Sequence, residues 1–157
     1  RQLAWEVKYA TKVQPDGVVL EPFRPLEVAI ALGAGFVARS FSGETEHLAD
    51  MVGLAMEHRG FALIDVLQPC VSFNKVNTHQ WYKQRIYRVD QDPRYDRHDK
   101  AAAYRKATEW GERIPIGIMF QQDKLSYDQR TGLDKMPPLV EIGVGDRNMT
   151  PILADYF

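Results

Sequence analysis

Apolar runs broken by polar stretches set the frame of this chain. Phe61 to Leu67 is apolar except for Asp65 and is bounded by Gly60 and Pro69. That length fits a fully buried strand of a parallel sheet better than a helix. Phe36-Val37-Ala38-Arg39 reads as a second buried strand. Ile114 to Phe120 reads as a third, with Pro115 placing it at an edge or marking its start. Between the first two, Ser42-Gly43 opens the clearest helical pattern. Leu48, Met51, Val52, Ala55 and Met56 recur at spacings of three and four and form one apolar stripe. Glu44 and Glu46 fall in the first turn and His58-Arg59 in the last, matching the helix dipole, and Gly60 suits the C′ stop. Strand, helix and strand at this spacing predict a βαβ unit with a right-handed crossover.

The flanking segments are shorter. Trp5, Val7 and Tyr9 alternate with charged residues as a short strand does, and Gln14-Pro15-Asp16-Gly17 is a turn signal. Pro25 suits the first turn of a helix that runs through Leu26, Val28, Ala29, Ile30 and Leu32 and stops at Gly33 or Gly35. Thr78 to Tyr87 predicts a short helix. Residues 88–100 read as a solvated connection, and Asp99 to Trp110 as a helix ended by Gly111. Beyond Arg130, Pro137-Pro138 precedes a possible strand from Leu139 to Val144 and an apolar end. The whole predicts an α/β fold.

Composition narrows the function. A chain of 157 residues with 45% hydrophobic and 26% charged side chains is an ordinary globular protein in its balance. Twenty basic against twenty-one acidic residues leave a net charge of −1, which invites neither nucleic acid nor an anionic membrane surface. No apolar run approaches the length of a membrane span, and the first residues do not begin a signal peptide. One cysteine excludes an internal disulfide and suits a reducing cytoplasm.

That cysteine, Cys70, is the first candidate for chemistry. It lies just past the end of the Phe61 strand, after Pro69 takes the chain out of the sheet. In open α/β sheets this edge collects ligands. From its chemistry alone, an inert packing role stays open for such a cysteine. Asp65 stands out as a carboxylate in an apolar strand, where a nearby pairing partner would explain it. Asn74, Lys75 and Asn77 suit either a solvated loop or a cofactor's carboxylate or phosphate. His47, His58, His79 and His98 lack metal-ligand spacing; the first two fall on the wet helix face, and a surface position suits His79.

The stretch VLQPCVSFNKVNTHQWYKQRIY resembles a segment of the β subunits of 2-oxoacid:ferredoxin oxidoreductases. GFVARSFSGETEHL upstream and AYRKATEWGERIPIGIMFQ downstream resemble the same family in the same order, from about Gly17 to about Arg130. The resemblance covers the later part of such a subunit. It implies residues 17–87 as the C-terminal part of a thiamine diphosphate-binding, doubly wound domain with a mainly parallel sheet. It further implies residues 88–157 as the C-terminal region and tail of the β subunit, and leaves 1–16 unassigned. The activity implied is oxidative decarboxylation of a 2-oxoacid to acyl-CoA with electrons passing to ferredoxin, in a cytoplasmic complex with an α subunit and the remainder of the β subunit.

The cofactors implied are thiamine diphosphate, Mg²⁺ and a 4Fe–4S cluster. Cys70 matches the fourth cysteine ligand of that cluster; the other three, early in the family's sequence, have no counterpart here. The family's GDG motif for Mg²⁺ also lacks a match, since Gly145-Asp146 with Asn148 is too compressed and reads as a turn. The chain by itself is therefore expected to be inactive. A catalytically inactive assembly or regulatory partner and a small α/β binding module stay open beside this reading.

Overall fold

The computed structural model describes residues 10, 15–17, 21–142 and 150–156. The strand expected around Trp5, Val7 and Tyr9 and the turn expected at Gly145-Asp146 lie outside the described residues. Two compact units divide the chain, Arg1–Lys124 and Leu125–Phe157.

The first unit holds a four-stranded sheet. Helix α1 (Pro25–Ala31) leads into β1 (Phe36–Phe41), α2 (Thr45–Glu57) and β2 (Ala62–Leu67). After a loop come α3 (His79–Lys83), β3 (Ile86–Arg88), a 3₁₀ turn at Val89–Gln91, α4 (Lys100–Thr108) and β4 (Ile114–Gln121). The strand order is β2-β1-β4-β3. β1 pairs with β2 in parallel, as the βαβ pattern required, and β3 pairs with β4 in parallel, whereas β1 and β4 run antiparallel. Pro115 sits one residue into β4, where the strand's pairing with β1 has not begun. Its missing N–H therefore costs no bond to β1.

Both faces of the sheet are covered, as parallel strands require. Phe36 and Ala38 of β1 face α2 through Met51, with Ala62 and Ile64 of β2 alongside. Val37 and Leu63 face the other way, onto α1 (Leu26, Ala29, Ile30) and α4 (Ala103, Ala107). The period-two alternation of a strand accounts for the division. Gly117, opposite Arg39, has φ +118°, and a Cβ there would come within 2.9 Å of the Val89 side chain. Only glycine fits that position comfortably.

Several expectations are corrected. β2 is an outer strand, and most of its side chains are half-exposed instead of fully buried, because only β1 pairs with it. On α2 the buried line runs through His47 and Met51, with Ala55 half-buried. Val52 and Met56 are exposed and Leu48 is half-buried, so the covered stripe is rotated from the expected one. His47 is buried because the Ser40 hydroxyl lies 2.8 Å from its Nδ1. A partner of this kind offsets the cost of burying a polar ring. His58, the C-cap, is half-buried over Gly35 and 5.8 Å from the Phe36 ring. Glu44 is the N-cap residue, not part of the first turn.

The helix expected from Thr78 to Tyr87 ends at Lys83. The Ile114 N–H reaches the Arg85 carbonyl, and parallel pairing draws Ile86 and Tyr87 into β3. In the 88–100 connection, Val89 is buried.

The second unit carries short helices, α5 (Tyr127–Thr131), α6 (Leu139–Ile142) and α7 (Thr150–Ala154), with a 3₁₀ turn at Leu133–Lys135. Ser126 and Gln129 form a capping box at the start of α5. α6 replaces the strand expected from Leu139. The Pro138 carbonyl accepts from the N–H groups of Glu141 and Ile142, so the proline closes the first turn of a helix.

Candidate functional site around Cys70

β2 delivers the chain to the site. Leu67 is anchored among Phe41, Tyr82, Ile114 and Ile116, and Pro69 is buried after it. The backbone then turns through residues 71–73, and Cys70 is left half-buried at the carboxyl end of a parallel strand. The turn is pinned by Asn74, which is buried. Its N–H donates to the Cys70 carbonyl at 3.0 Å. Its Oδ1 accepts from the N–H groups of Val76 and Asn77, each at 2.9 Å, and its Nδ2 donates to Asn77 Oδ1 at 3.0 Å. Asparagine suits this task because one short side chain offers both donors and acceptors to the local backbone.

The sulfur faces donors as a consequence. Above all the Phe73 N–H, and with it those of Ser72 and Asn74 and the charge of Lys75, hold the Cys70 thiol below its ordinary value, against some desolvation. Successive amides aimed at one atom make a concavity for negative charge. A thiolate is the form that binds metal. The Lys75 ammonium also donates to the Val71 carbonyl.

Cys70 lines a cleft of about 680 Å³ whose walls include Asp65, Asn77, Tyr82 and Trp110. Asp65 Oδ2 accepts from Arg39 Nε at 2.9 Å, and the two residues are opposite one another on β2 and β1. Arg39 is 0% exposed, and its guanidinium lies 5.5 Å from the Trp110 ring centroid. The pairing partner that Asp65 called for is thus a buried cation. Tyr82 has its phenol pushed up by burial and by the Asp65 charge. Thr78 caps α3 by accepting from the Trp81 N–H, and this presents Tyr82 to the cleft.

Sequence reasoning does not single out Arg39, Tyr82 or Trp110 as site residues. A signal for Arg39 exists. Two apolar strands of equal length each carry one charge, opposite in sign and both at the fourth position, and parallel pairing in register makes them neighbours. Trp110 has no such signal, since it reaches the cleft from the far end of α4.

The remaining candidates disperse. His79 is exposed, with its ring 5.5 Å from Phe41, and His98 Nδ1 lies 2.7 Å from the Gln121 carbonyl oxygen. No group of three or more His, Cys, Asp or Glu side chains among the described residues could hold a metal ion. Cys70 therefore fits as one donor to a group completed from elsewhere.

A thiol cradled by amides at the carboxyl end of a parallel strand, in a sheet covered on both faces, defines an α/β protein suited to holding a cofactor. Comparison with known proteins narrows that class. Residues 70–134 match the family model for the C-terminal region of the pyruvate ferredoxin oxidoreductase beta subunit. The 2-oxoacid:ferredoxin oxidoreductase subunit beta of Saccharolobus solfataricus is 38% identical over 130 residues, 76% of this chain and 43% of that subunit. Subunit beta of 2-oxoacid:ferredoxin oxidoreductase 1 from Aeropyrum pernix is 42% identical over 116 residues, 68% of this chain and 36% of that subunit. A solved structure, the 2-oxoglutarate:ferredoxin oxidoreductase from Magnetococcus marinus with 2-oxoglutarate, coenzyme A and succinyl-CoA bound, superposes with a TM-score of 0.77. It is 26% identical, and the match covers 97% of this chain and 50% of that one.

The chain belongs to the β-subunit family of the 2-oxoacid:ferredoxin oxidoreductases. It spans about half the length of the relatives it matches.

Proposed function

We propose that this chain is the later part of a 2-oxoacid:ferredoxin oxidoreductase β subunit and that Cys70 supplies one thiolate to a 4Fe–4S cluster. The observation that carries the reading is the placement of Cys70, half-buried at the end of β2 with the N–H groups of Ser72, Phe73 and Asn74 turned to its sulfur. Amide donors to sulfur are among the features that tune such clusters. The complete complex oxidises a 2-oxoacid to acyl-CoA and passes electrons to ferredoxin. Thiamine diphosphate with Mg²⁺ and the iron–sulfur centre supply that chemistry when bound, and the protein supplies position and field. This chain contributes the Cys70 donor, the Asn74-pinned turn that aims it and the Arg39–Asp65 pair beneath the cleft. The α subunit and the rest of the β subunit supply what is missing, in the cytoplasm.

The test is Cys70→Ser in the complete β subunit assembled with its partner. A serine oxygen is a harder and poorer ligand, so iron content should fall or the reduced cluster's paramagnetic resonance spectrum should shift, with ferredoxin reduction slowed more than decarboxylation. An unchanged spectrum with normal electron transfer would return Cys70 to a packing role. Calorimetric titration of the chain alone with thiamine diphosphate and Mg²⁺ should give no saturable micromolar binding, because the residues read as the diphosphate site lie outside it.

A further inference from the structure

The outer edge of β2 is built unlike a natural sheet margin. Soluble proteins protect such edges with lysines, prolines, bulges or a covering element. Ala62–Leu67 has none of the sequence devices: its register with β1 runs unbroken through six pairs, and its one charge, Asp65, is turned to Arg39. Among the described residues β1 is its only strand partner, so the outward-facing N–H and C=O groups of β2 have no ladder on that side. Beside this edge lies a shallow apolar groove of about 360 Å³. Phe61, Phe23 and Leu32 line it while 64%, 60% and 85% exposed, with Val28 and Leu63 between them. Large apolar side chains grouped along an unpaired strand mark an interface.

The occupant follows from chain length. The relatives carry roughly as much polypeptide again as this chain matches: the aligned region is 43% of one β subunit and 50% of the solved one. We infer that the outer edge of β2 and the groove formed by Phe23, Val28, Leu32 and Phe61 receive a strand from the part of the β subunit that this chain does not span. Main-chain hydrogen bonds to β2 provide the affinity, and apolar side chains of the added strand fill the groove, as in other cases of strand addition. The inference rests on reading the chain as part of a β subunit, but not on the assignment of Cys70. Docking on β2 also draws the incoming segment towards the edge where β2 ends and Cys70 begins.

The test co-expresses the chain with the portion of the Saccharolobus solfataricus β subunit that lies outside the matched region. Hydrogen–deuterium exchange is then measured on the chain alone and on the complex. The expected result is a complex in which amides of 62–67 exchange at least tenfold more slowly than in the chain alone. Phe61→Asp and Leu32→Asp, both at exposed positions, should weaken the complex at least tenfold while leaving the melting temperature of the chain unchanged. A complex that protects other segments and tolerates both substitutions would overturn the proposed surface and keep the β-subunit reading. Protection of 62–67 already present in the chain alone would place the cover within this chain or a second copy, and would also overturn it. Failure of the two pieces to associate counts against the surface, whereas the Cys70 reading is judged separately by iron analysis of the complete β subunit.

Discussion

β1 and β2 have the same length, similar composition and a common register, yet they live in different environments. All six residues of β1 are buried, whereas only Leu67 of β2 is. Each strand carries one charge at its fourth position, Arg39 and Asp65, and these meet at 2.9 Å. The contrast shows that an apolar run specifies a strand without specifying its place in the sheet. β1 lies between β2 and β4 and is covered on both faces, while β2 stands outermost. The charges follow suit, with the fully enclosed guanidinium on the inner strand and the partly accessible carboxylate on the outer one.

The pair gives the largest expected effect. Asp65→Ala strands Arg39 without its counter-charge, and loss of one member of a buried pair costs about 3–5 kcal/mol. Denaturant melts check this, and the double change Arg39→Met with Asp65→Leu should recover most of the loss. If Asp65→Ala instead costs under about 1 kcal/mol, the pair is not holding the two strands in their present environments.

The stripe on α2 sharpens the comparison next. Met51 packs with Phe36 and Ala38 of β1, so Met51→Ala should cost about 2–5 kcal/mol. Val52, one position on and exposed, should tolerate alanine within about 0.5 kcal/mol. Equal costs would return the stripe to the rotation expected from spacing alone.

Val37 and Val66 test the strands directly. Val37 is fully buried on β1 and Val66 is 41% exposed on β2. Truncation to alanine should cost about 2 kcal/mol at Val37, from the methyl groups returned to water, and clearly less at Val66. Chemical denaturation of the two variants decides.

The smallest effect concerns pH and the inner strand's Ser40–His47 contact. Burial first, then the Arg88 charge, holds the His47 ring below its ordinary value of 6.5, with Asp90, Asp50 and Glu44 opposing. Between the lowered native value and 6.5 the unfolded chain binds more protons than the native one. Stability attributable to His47 is therefore retained above 6.5 and lost as pH falls through that window. His47→Gln should flatten this acid-side decline while lowering stability at neutral pH, as thermal melts at a series of pH values can show. An unchanged pH profile in the variant would assign the decline to other groups.

Much of this molecule is legible in residue order. Apolar runs bounded by glycine and proline mark β1, β2 and β4, and three- and four-residue spacing marks α2, because strand and helix periods follow from local geometry. The motif around Cys70 points to the family and to the thiol. What the order of residues leaves open is every feature that depends on neighbours distant in the chain. Which strand is outermost, and hence that Phe61 and Leu32 are bare, depends on pairing partners. The buried face of α2 is ambiguous in sequence because lines through 47-51-55 and 48-52-56 both satisfy helical spacing, and only the Ser40 hydroxyl on β1 makes His47 admissible inside. Ile86 and Tyr87 leave the helical pattern because β4 offers them hydrogen bonds. Arg39 and Trp110 join the cleft only because parallel register and the end of α4 bring them to Asp65. Local periodicity carries the elements; long-range packing decides which of their faces meet, because burial is a property of pairs of elements and not of any one of them.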